Sequence, residues 1–315
     1  MQYRIYLNII NKLIINNFMK TFTFFIVGIF FLAAVSCKNT SSPLPSTNIG
    51  YTVNPITATT TPNYDFNDTT LTNHGWTKTF EDNFNGDLSK WNLLQGGVQG
   101  ELQCYTPANA TIVNGALQIS AKKETVTGPT EVNSTSTKTF NYTSAWLLSK
   151  ANISANATTP YVRIVARIKT VSEYGLTSVL CTFGSNWPVN GEIICEEGIG
   201  ANTKEYGTSY SYGTATNNNL VTNAYQFNPT DNDLSASYHV YTTEWGKNAL
   251  KYYIDGNLVE VKTAGGHVPD LFGKTHIISL NVPIGGHYYS NLNASNIANG
   301  VSYVDYIKVF TSKTY

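Results

Sequence analysis

Charge is scarce in this chain. Asp, Glu, Lys and Arg make up 13% of its 315 residues, about half the ~25% usual for a soluble domain. Basic and acidic residues balance at 20 each. No basic excess is available to hold nucleic acid, and no acidic block forms a solvating tail. Cysteine is scarce too: there are 4, in no zinc-like spacing, and the 5 histidines form no cluster beside them. Helical periodicity of useful length is missing after residue 76, which excludes a bundle or a coiled coil. No 20–50-residue repeat suggests a propeller. What is plentiful is Tyr, with 21, and Gly, with 24, alongside Thr and Asn; aromatics reach 13%. This reads as an all-β protein kept soluble by neutral polar groups, and such groups suit a neutral polar ligand.

The first 36 residues are of a different kind. Arg4, Lys12 and Lys20 are their only charges, and an apolar run spans Phe22–Val35. A basic start followed by an apolar stretch of this length describes an export signal rather than a spanning helix. It ends in Ala34-Val35-Ser36-Cys37, which resembles a bacterial lipobox. That resemblance implies lipidation of Cys37, an exported lipoprotein, and a place at the outer membrane or surface of a Gram-negative cell. A plain secretory signal or a single membrane anchor is the alternative, and Met19 offers a second possible start. The remainder carries 17 basic and 20 acidic residues, a net charge of −3. Residues 37–75, rich in Thr, Ser, Asn and Pro, read as a flexible tether. The folded domain is expected over 76–315, long enough for one β-sandwich.

That domain reads as short strands between turns. Asn114-Gly115 and Asp255-Gly256 each separate two apolar runs and predict tight hairpins. Tyr161–Lys169 is β-branched, with Arg163, Val165, Arg167 and Lys169 on alternate positions, as in a half-exposed strand. Residues 276–282 and 302–310 alternate likewise. Many short antiparallel strands favour a two-sheet sandwich or jelly roll. Three cysteines follow Cys37, namely Cys104, Cys181 and Cys195. An odd number leaves one thiol over, and all three read as small buried residues.

The chemistry concentrates in Trp187-Pro-Val-Asn-Gly-Glu-Ile-Ile-Cys-Glu-Glu197. Three carboxyls crowd into six residues that otherwise look like a buried strand, where acids are costly. A retaining glycosidase needs two nearby carboxyls, one nucleophile and one acid/base. Side chains alternate along a strand, so Glu192 and Glu196 share a face in a regular register. One β-bulge would put Glu197 on the Glu192 face instead. A rim strand with solvated glutamates is the non-functional alternative.

Gly191-Glu192-Ile193 through Glu197, after Trp187-Pro188, resembles the active-site strand of glycoside hydrolase family 16, the laminarinase and lichenase group. Six further pieces match in order: Phe80–Gly86 with Ser89-Lys90-Trp91, Glu101–Thr106, Tyr161–Lys169, Tyr238–Trp245 with Tyr252–Gly256, Leu280–Gly286 and Val304–Val309. The resemblance implies a concanavalin A-like jelly roll with a polysaccharide cleft. It makes Glu192 the nucleophile and Glu197 the acid/base, with Glu196 as fallback acid/base in the unbulged register. The family's Asp between the glutamates is Ile194 here, its sugar-stacking tryptophans are missing from 175–184, and its His after Gly-Thr is replaced by Tyr210.

Flat aromatic faces suit sugar rings. Trp187, Trp146, Tyr105 and Tyr210 are the candidate substrate contacts, while Trp91 and Trp245 read as core. Glu101 and Asn281 are expected, on resemblance, to hydrogen-bond sugar hydroxyls. A structural Ca²⁺ is common in the family, and Asp305, the Gly115 carbonyl and Asn83 are the matching positions; catalysis needs no cofactor. The expected partner is a polysaccharide, with no nucleic acid, membrane contact only through the lipid, and a monomeric chain. These residues are compatible with two readings. One is a retaining, endo-acting glycosidase on β-linked glucan or galactan. The other is a surface glycan-binding lipoprotein on the same fold that no longer cleaves.

Overall fold

The computed structural model describes residues 57–216, 218–287, 289 and 291–314. Cys37 and the leader lie outside the described residues. In chain order the strands of the two large sheets are β1 (Thr77–Asp82), β2 (Trp91–Leu93), β3 (Ala110–Val113), β4 (Ala116–Ala121), β5 (Trp146–Ile153), β6 (Tyr161–Lys169), β7 (Thr177–Gly184) and β8 (Glu192–Ile199). They continue as β9 (Glu205–Ala215), β10 (Asn218–Asn223), β11 (Gln226–Pro229), β12 (His239–Trp245), β13 (Ala249–Ile254), β14 (Asn257–Thr263), β15 (His276–Asn281) and β16 (Gly300–Ser312). Among the described residues these make two eight-stranded antiparallel sheets, which is the expected sandwich. The front sheet runs β10-β9-β8-β7-β15-β5-β2, with β11 against β9. The back sheet runs β14-β13-β12-β6-β16-β4-β3, with β1 against β16.

Both predicted hairpins form. Asn114 and Gly115 take φ of 53° and 74°, the left-handed pair that a two-residue turn needs and that Asn-Gly tolerates. Asp255 and Gly256 do the same between β13 and β14. Asp255 also accepts hydrogen bonds from the Val240 N–H at 2.8 Å and from His239 Nδ1 at 2.7 Å. That acid therefore ties the turn to β12.

The main core lies between the sheets. It takes the inward residues of each strand, such as Leu147, Leu180, Ile193 and Leu280 from the front and Val162, Ile164 and Val309 from the back. Trp91 and Trp245 belong to it, as read from sequence. Burying each such aliphatic side chain contributes roughly 1.5–3 kcal/mol. A second apolar cluster covers the outer face of the front sheet, where Leu94, Val98 and Val132 from loops meet Trp146, Cys181, Phe183 and Ile194. Cys104, Cys181 and Cys195 are all free and buried.

Residues 57–75 correct the expected boundary at 76. They are polar in composition, yet they strap from β11 of the front sheet across the back of the sandwich through backbone groups. The Ala58 N–H donates to the Pro229 carbonyl at 2.8 Å, and the Asn63 N–H to the Tyr238 carbonyl at 2.9 Å. The Thr60 and Thr61 N–H groups reach Asp231 and Asp255, each at 2.9 Å. A short helix, α1 (Asp68–Thr72), follows, capped by the Asn67 side chain. Leu71 and Trp76 then bury Val165, Val240 and Phe310 of the back sheet. This explains β6. Arg163, Arg167 and Lys169 keep partial exposure, while Val165 in the same alternation is buried under the strap. Arg163 lies over the Trp76 ring at 5.0 Å.

Candidate active site

The front-sheet registers set side chains in rows. One row holds Trp146, Asn281, Val179, Glu197 and Gly207. The next holds Leu148, Ser279, Cys181, Ile194 and Ser209. A third holds Ile277, Phe183, Glu192 and Ser211. Residues directly opposite in a sheet share a face, so all three rows point outward from the sandwich.

Glu197 joins this face through a bulge. Opposite Leu180 and Cys181, consecutive in β7, stand Glu196 and Ile194 of β8, so one extra residue sits in the strand. The same slip appears against β9, between Ile194 and Glu197. A bulge shifts every later side chain by one face. Glu192, Ile194 and Glu197 therefore line the outer face, where the two glutamates are 6% and 7% exposed. Gly191 sets the entry to β8 with φ of +76°, and a Cβ there would lie 2.1 Å from the Leu271 side chain. Only glycine is comfortable under both constraints.

Glu196 consequently turns inward and is not available as acid/base. It is 0% exposed, and neither carboxyl oxygen has a hydrogen-bond partner of good geometry. The Tyr206 and Tyr241 hydroxyls nearby are also unpartnered. Burial, reinforced by the charge of Glu197, pushes the Glu196 carboxyl well above its ordinary range. It is a neutral acid in the core.

Glu192 stands on an apolar floor. Ile194 and Cys181 are cross-strand partners, with Phe183 opposite Glu192. Burial pushes its carboxyl up to about 7, and a hydrogen bond from Trp187 pulls the other way. That bond runs from the Trp187 indole Nε1–H to Glu192 Oε2 at 3.2 Å. Trp187, expected as a sugar-stacking face, is instead 2% exposed and packed in the front cluster. Cys181 feels both Glu192 and Glu197, which places the two carboxyls around one thiol.

Beside this pair lies a hydrogen-bonded chain. Asn281 Nδ2 donates to the Tyr105 hydroxyl at 3.1 Å, which donates to Glu101 Oε2 at 2.9 Å. Gln103 Nε2 donates to the same carboxyl oxygen. Burial raises Glu101 to about 7 against these two donors. Trp146 donates its indole N–H to Ser279 Oγ at 2.7 Å and tilts against Tyr105, with ring centres 5.3 Å apart. The structure thus brings Glu101, Tyr105, Trp146 and Asn281 to the glutamate face. The two aromatic rings are buried against each other rather than open.

Tyr210 does not join them. It pairs with Ile193, faces the core, and accepts a hydrogen bond from the His267 N–H at 2.9 Å. Its neighbours Ser209 and Ser211 occupy the outer face in its place. The alternation of Ser and Tyr in β9 carried that signal, but only pairing with β8 tells which set faces out.

Asp305, Asn83 and Gly115 meet at a pocket on the back side, with Asp65, Asn85, Asn114 and Lys308. Carboxylate, amide and carbonyl oxygens are the donors Ca²⁺ takes, so the set fits by type. Asp305 is ion-paired with Arg167, and Lys308 adds a second cation, which weakens any such site. Asp305, the Gly115 carbonyl and Asn83 would hold the ion, which would be structural there. Among the described residues no group of three or more His, Cys, Asp or Glu side chains is placed to hold a metal.

The family model described as Glycosyl hydrolases family 16 matches residues 103–288. The chain belongs to that family. Among curated relatives it is 27% identical over 264 residues to Glucan endo-1,3-beta-glucosidase A1 of Niallia circulans, covering 73% of this chain and 37% of that protein. It is 29% identical over 248 residues to the Clotting factor G alpha subunit of Tachypleus tridentatus, covering 75% and 34%. The family chain thus spans about a third of the length of the curated relatives it matches. Among solved structures it superposes on the endo-beta-1,3-glucanase from Pyrococcus furiosus with a TM-score of 0.64 at 28% identity, covering 75% of this chain and 95% of that one. The laminarinase catalytic domain from Thermotoga maritima gives 0.63 at 25% identity, covering 75% and 98%.

Proposed function

We propose that this chain is a retaining endo-glycosidase acting on a β-linked glucan, with Glu192 as nucleophile and Glu197 as acid/base. The observation that carries the reading is the one-residue bulge in β8, which sets both carboxyls on one outer face. In the first step Glu192 attacks the anomeric carbon while Glu197 gives its proton to the departing glycosidic oxygen, leaving a glycosyl ester on Glu192. In the second step water attacks the same carbon, Glu197 takes its proton, and Glu192 leaves. β-1,3-Glucan is the favoured substrate, because the named relatives include β-1,3-glucanases. The Glu101–Tyr105–Asn281 chain offers polar groups beside the scissile position for sugar hydroxyls.

The second reading, glycan binding without cleavage, is favoured by the apolar floor. Ile194 supplies no hydrogen bond to Glu192, and a carboxyl raised to about 7 is half-protonated at neutral pH. A nucleophile must be ionised. Incubation with β-1,3-glucan, mixed-linkage β-glucan and algal galactans, read as new reducing ends, decides between the two. The glycosidase reading expects product from a β-glucan and none from Glu192→Gln. Retention of glycan without product across the whole panel overturns it in favour of binding.

A further inference from the structure

With Ile194 on the strand, Glu192 takes its hydrogen bond from elsewhere. The Trp187 indole N–H at 3.2 Å points at its carboxyl, from the loop that joins β7 to β8. That loop is closed on itself. The Asn190 N–H donates to the Asn186 carbonyl at 3.1 Å, and the Gly191 N–H to the Pro188 carbonyl at 3.0 Å. It is also bonded to both sides, by the Gly184 N–H to the Gly191 carbonyl at 3.1 Å and the Gly213 N–H to the Pro188 carbonyl at 3.0 Å.

His276 fixes the same loop from beneath. Its Nε2 lies 2.6 Å from the Asn190 carbonyl, and its Nδ1 lies 3.0 Å from Thr182 Oγ1. A carbonyl only accepts, so Nε2 carries the proton and Nδ1 accepts from the threonine hydroxyl. Complete burial holds this imidazole neutral, with its pKa lowered to about 4. The tautomer is thus constant across the working pH range, and the loop keeps one anchor.

We infer that Trp187 is a positioning residue for Glu192: its indole N–H, held by the His276-anchored loop, orients the nucleophile and stabilises its ionised form. The inference rests on the glycosidase reading for its catalytic meaning, but the hydrogen bond can be tested without substrate. An N–H donated to a carboxylate favours the charged form. The titratable groups sharing the face of Glu192 are Glu197 on its own strand, the Cys181 thiol of β7, and Glu101 with Tyr105 beyond Asn281. The β9 and β15 strands offer Ser211 and Ile277. Neither of these last two titrates, and Glu192→Gln removes the Glu192 step while leaving that of Glu101, so the Trp187 contribution is separable.

The test has two parts. In the unmodified protein, the ¹H–¹⁵N resonance of the Trp187 indole should shift with pH through one step near neutrality, and Glu192→Gln should remove that step. In Trp187→Phe, which keeps the ring and loses the donor, the Glu192 carboxyl ¹³C titration should move up by about one pH unit. The acidic limb of kcat/KM should follow it, with kcat falling at neutral pH and KM little changed. An indole resonance that does not sense Glu192, or a Glu192 titration unmoved in Trp187→Phe, overturns the inference whatever the activity. Absence of hydrolysis by the unmodified protein, with both titrations as expected, instead overturns the glycosidase reading and leaves the hydrogen bond standing.

Discussion

Glu196 and Glu197 are adjacent in sequence and face opposite sides of the front sheet. Glu197 looks out beside Glu192 and keeps 7% exposure; Glu196 looks into the sandwich, 0% exposed, with only the Gly198 and Leu180 backbone N–H groups turned toward it. Their chemistry is identical, so the difference comes from the backbone alone. One extra residue in β8 assigns one acid to the outer face of the front sheet and the other to the core. A carboxyl's role is therefore set here by strand register before any neighbouring charge acts on it. Enclosure in the core is what keeps Glu196 protonated.

The sharpest way to break this comparison is to neutralise each acid in turn. Glu197→Gln should slow cleavage by roughly 10²–10⁴-fold, the usual contribution of a general acid/base. Glu196→Gln should leave turnover intact. Steady-state kinetics on the β-glucan identified by the panel checks the pair, and equal losses would refute the separation of faces.

A second contrast is one of stability. The folded pKa of Glu192 is raised from 4.5 to about 7, mainly by burial. Below pH 4.5 both folded and unfolded states hold the proton and the carboxyl costs nothing. As pH rises toward 7 the unfolded state loses its proton first, so stability falls. Glu192→Gln cannot ionise. Relative to the unmodified protein it should gain nothing at pH 4 and about 3 kcal/mol at pH 8. Urea unfolding at the two pH values measures it.

The smallest effect concerns the inward acid. Glu196→Met exchanges a carboxyl without a side-chain partner for an apolar side chain of similar length. It should stabilise the fold by about 2 kcal/mol at neutral pH, read as a higher urea midpoint at an unchanged slope. Destabilisation would mean that the Gly198 and Leu180 N–H groups depend on this carboxyl.

Much of the fold was legible because it rests on local rules. Asn-Gly and Asp-Gly mark their turns by backbone conformation, and the alternation in 161–169, 276–282 and 302–310 marks strands. The glutamate cluster was legible as a candidate site because acids are rare in an apolar strand. The bulge was not, since the same six residues are compatible with either register and only the partners in β7 and β9 decide. Tyr210 was misplaced for a related reason: alternation gives two faces without saying which is outward. Trp187 looked like a platform because composition does not reveal where an indole N–H points. The strap over 57–75 was hidden because its polar residues bind through main-chain N–H groups, which leave no trace in hydropathy.

That strap also has a mechanical meaning. If the chain is held by its leading end, a pull enters the folded unit at Ala58 and is divided among several anchorages. These are the Pro229 carbonyl, Asp231, Asp255, the Tyr238 carbonyl and the apolar seat of Leu71 and Trp76. Most of them belong to the back sheet or its loops. Pro229 itself lies on β11 of the front sheet, so part of such a load passes through β9 to β8 along the sheet's own hydrogen bonds, and the back-sheet anchorages take the rest.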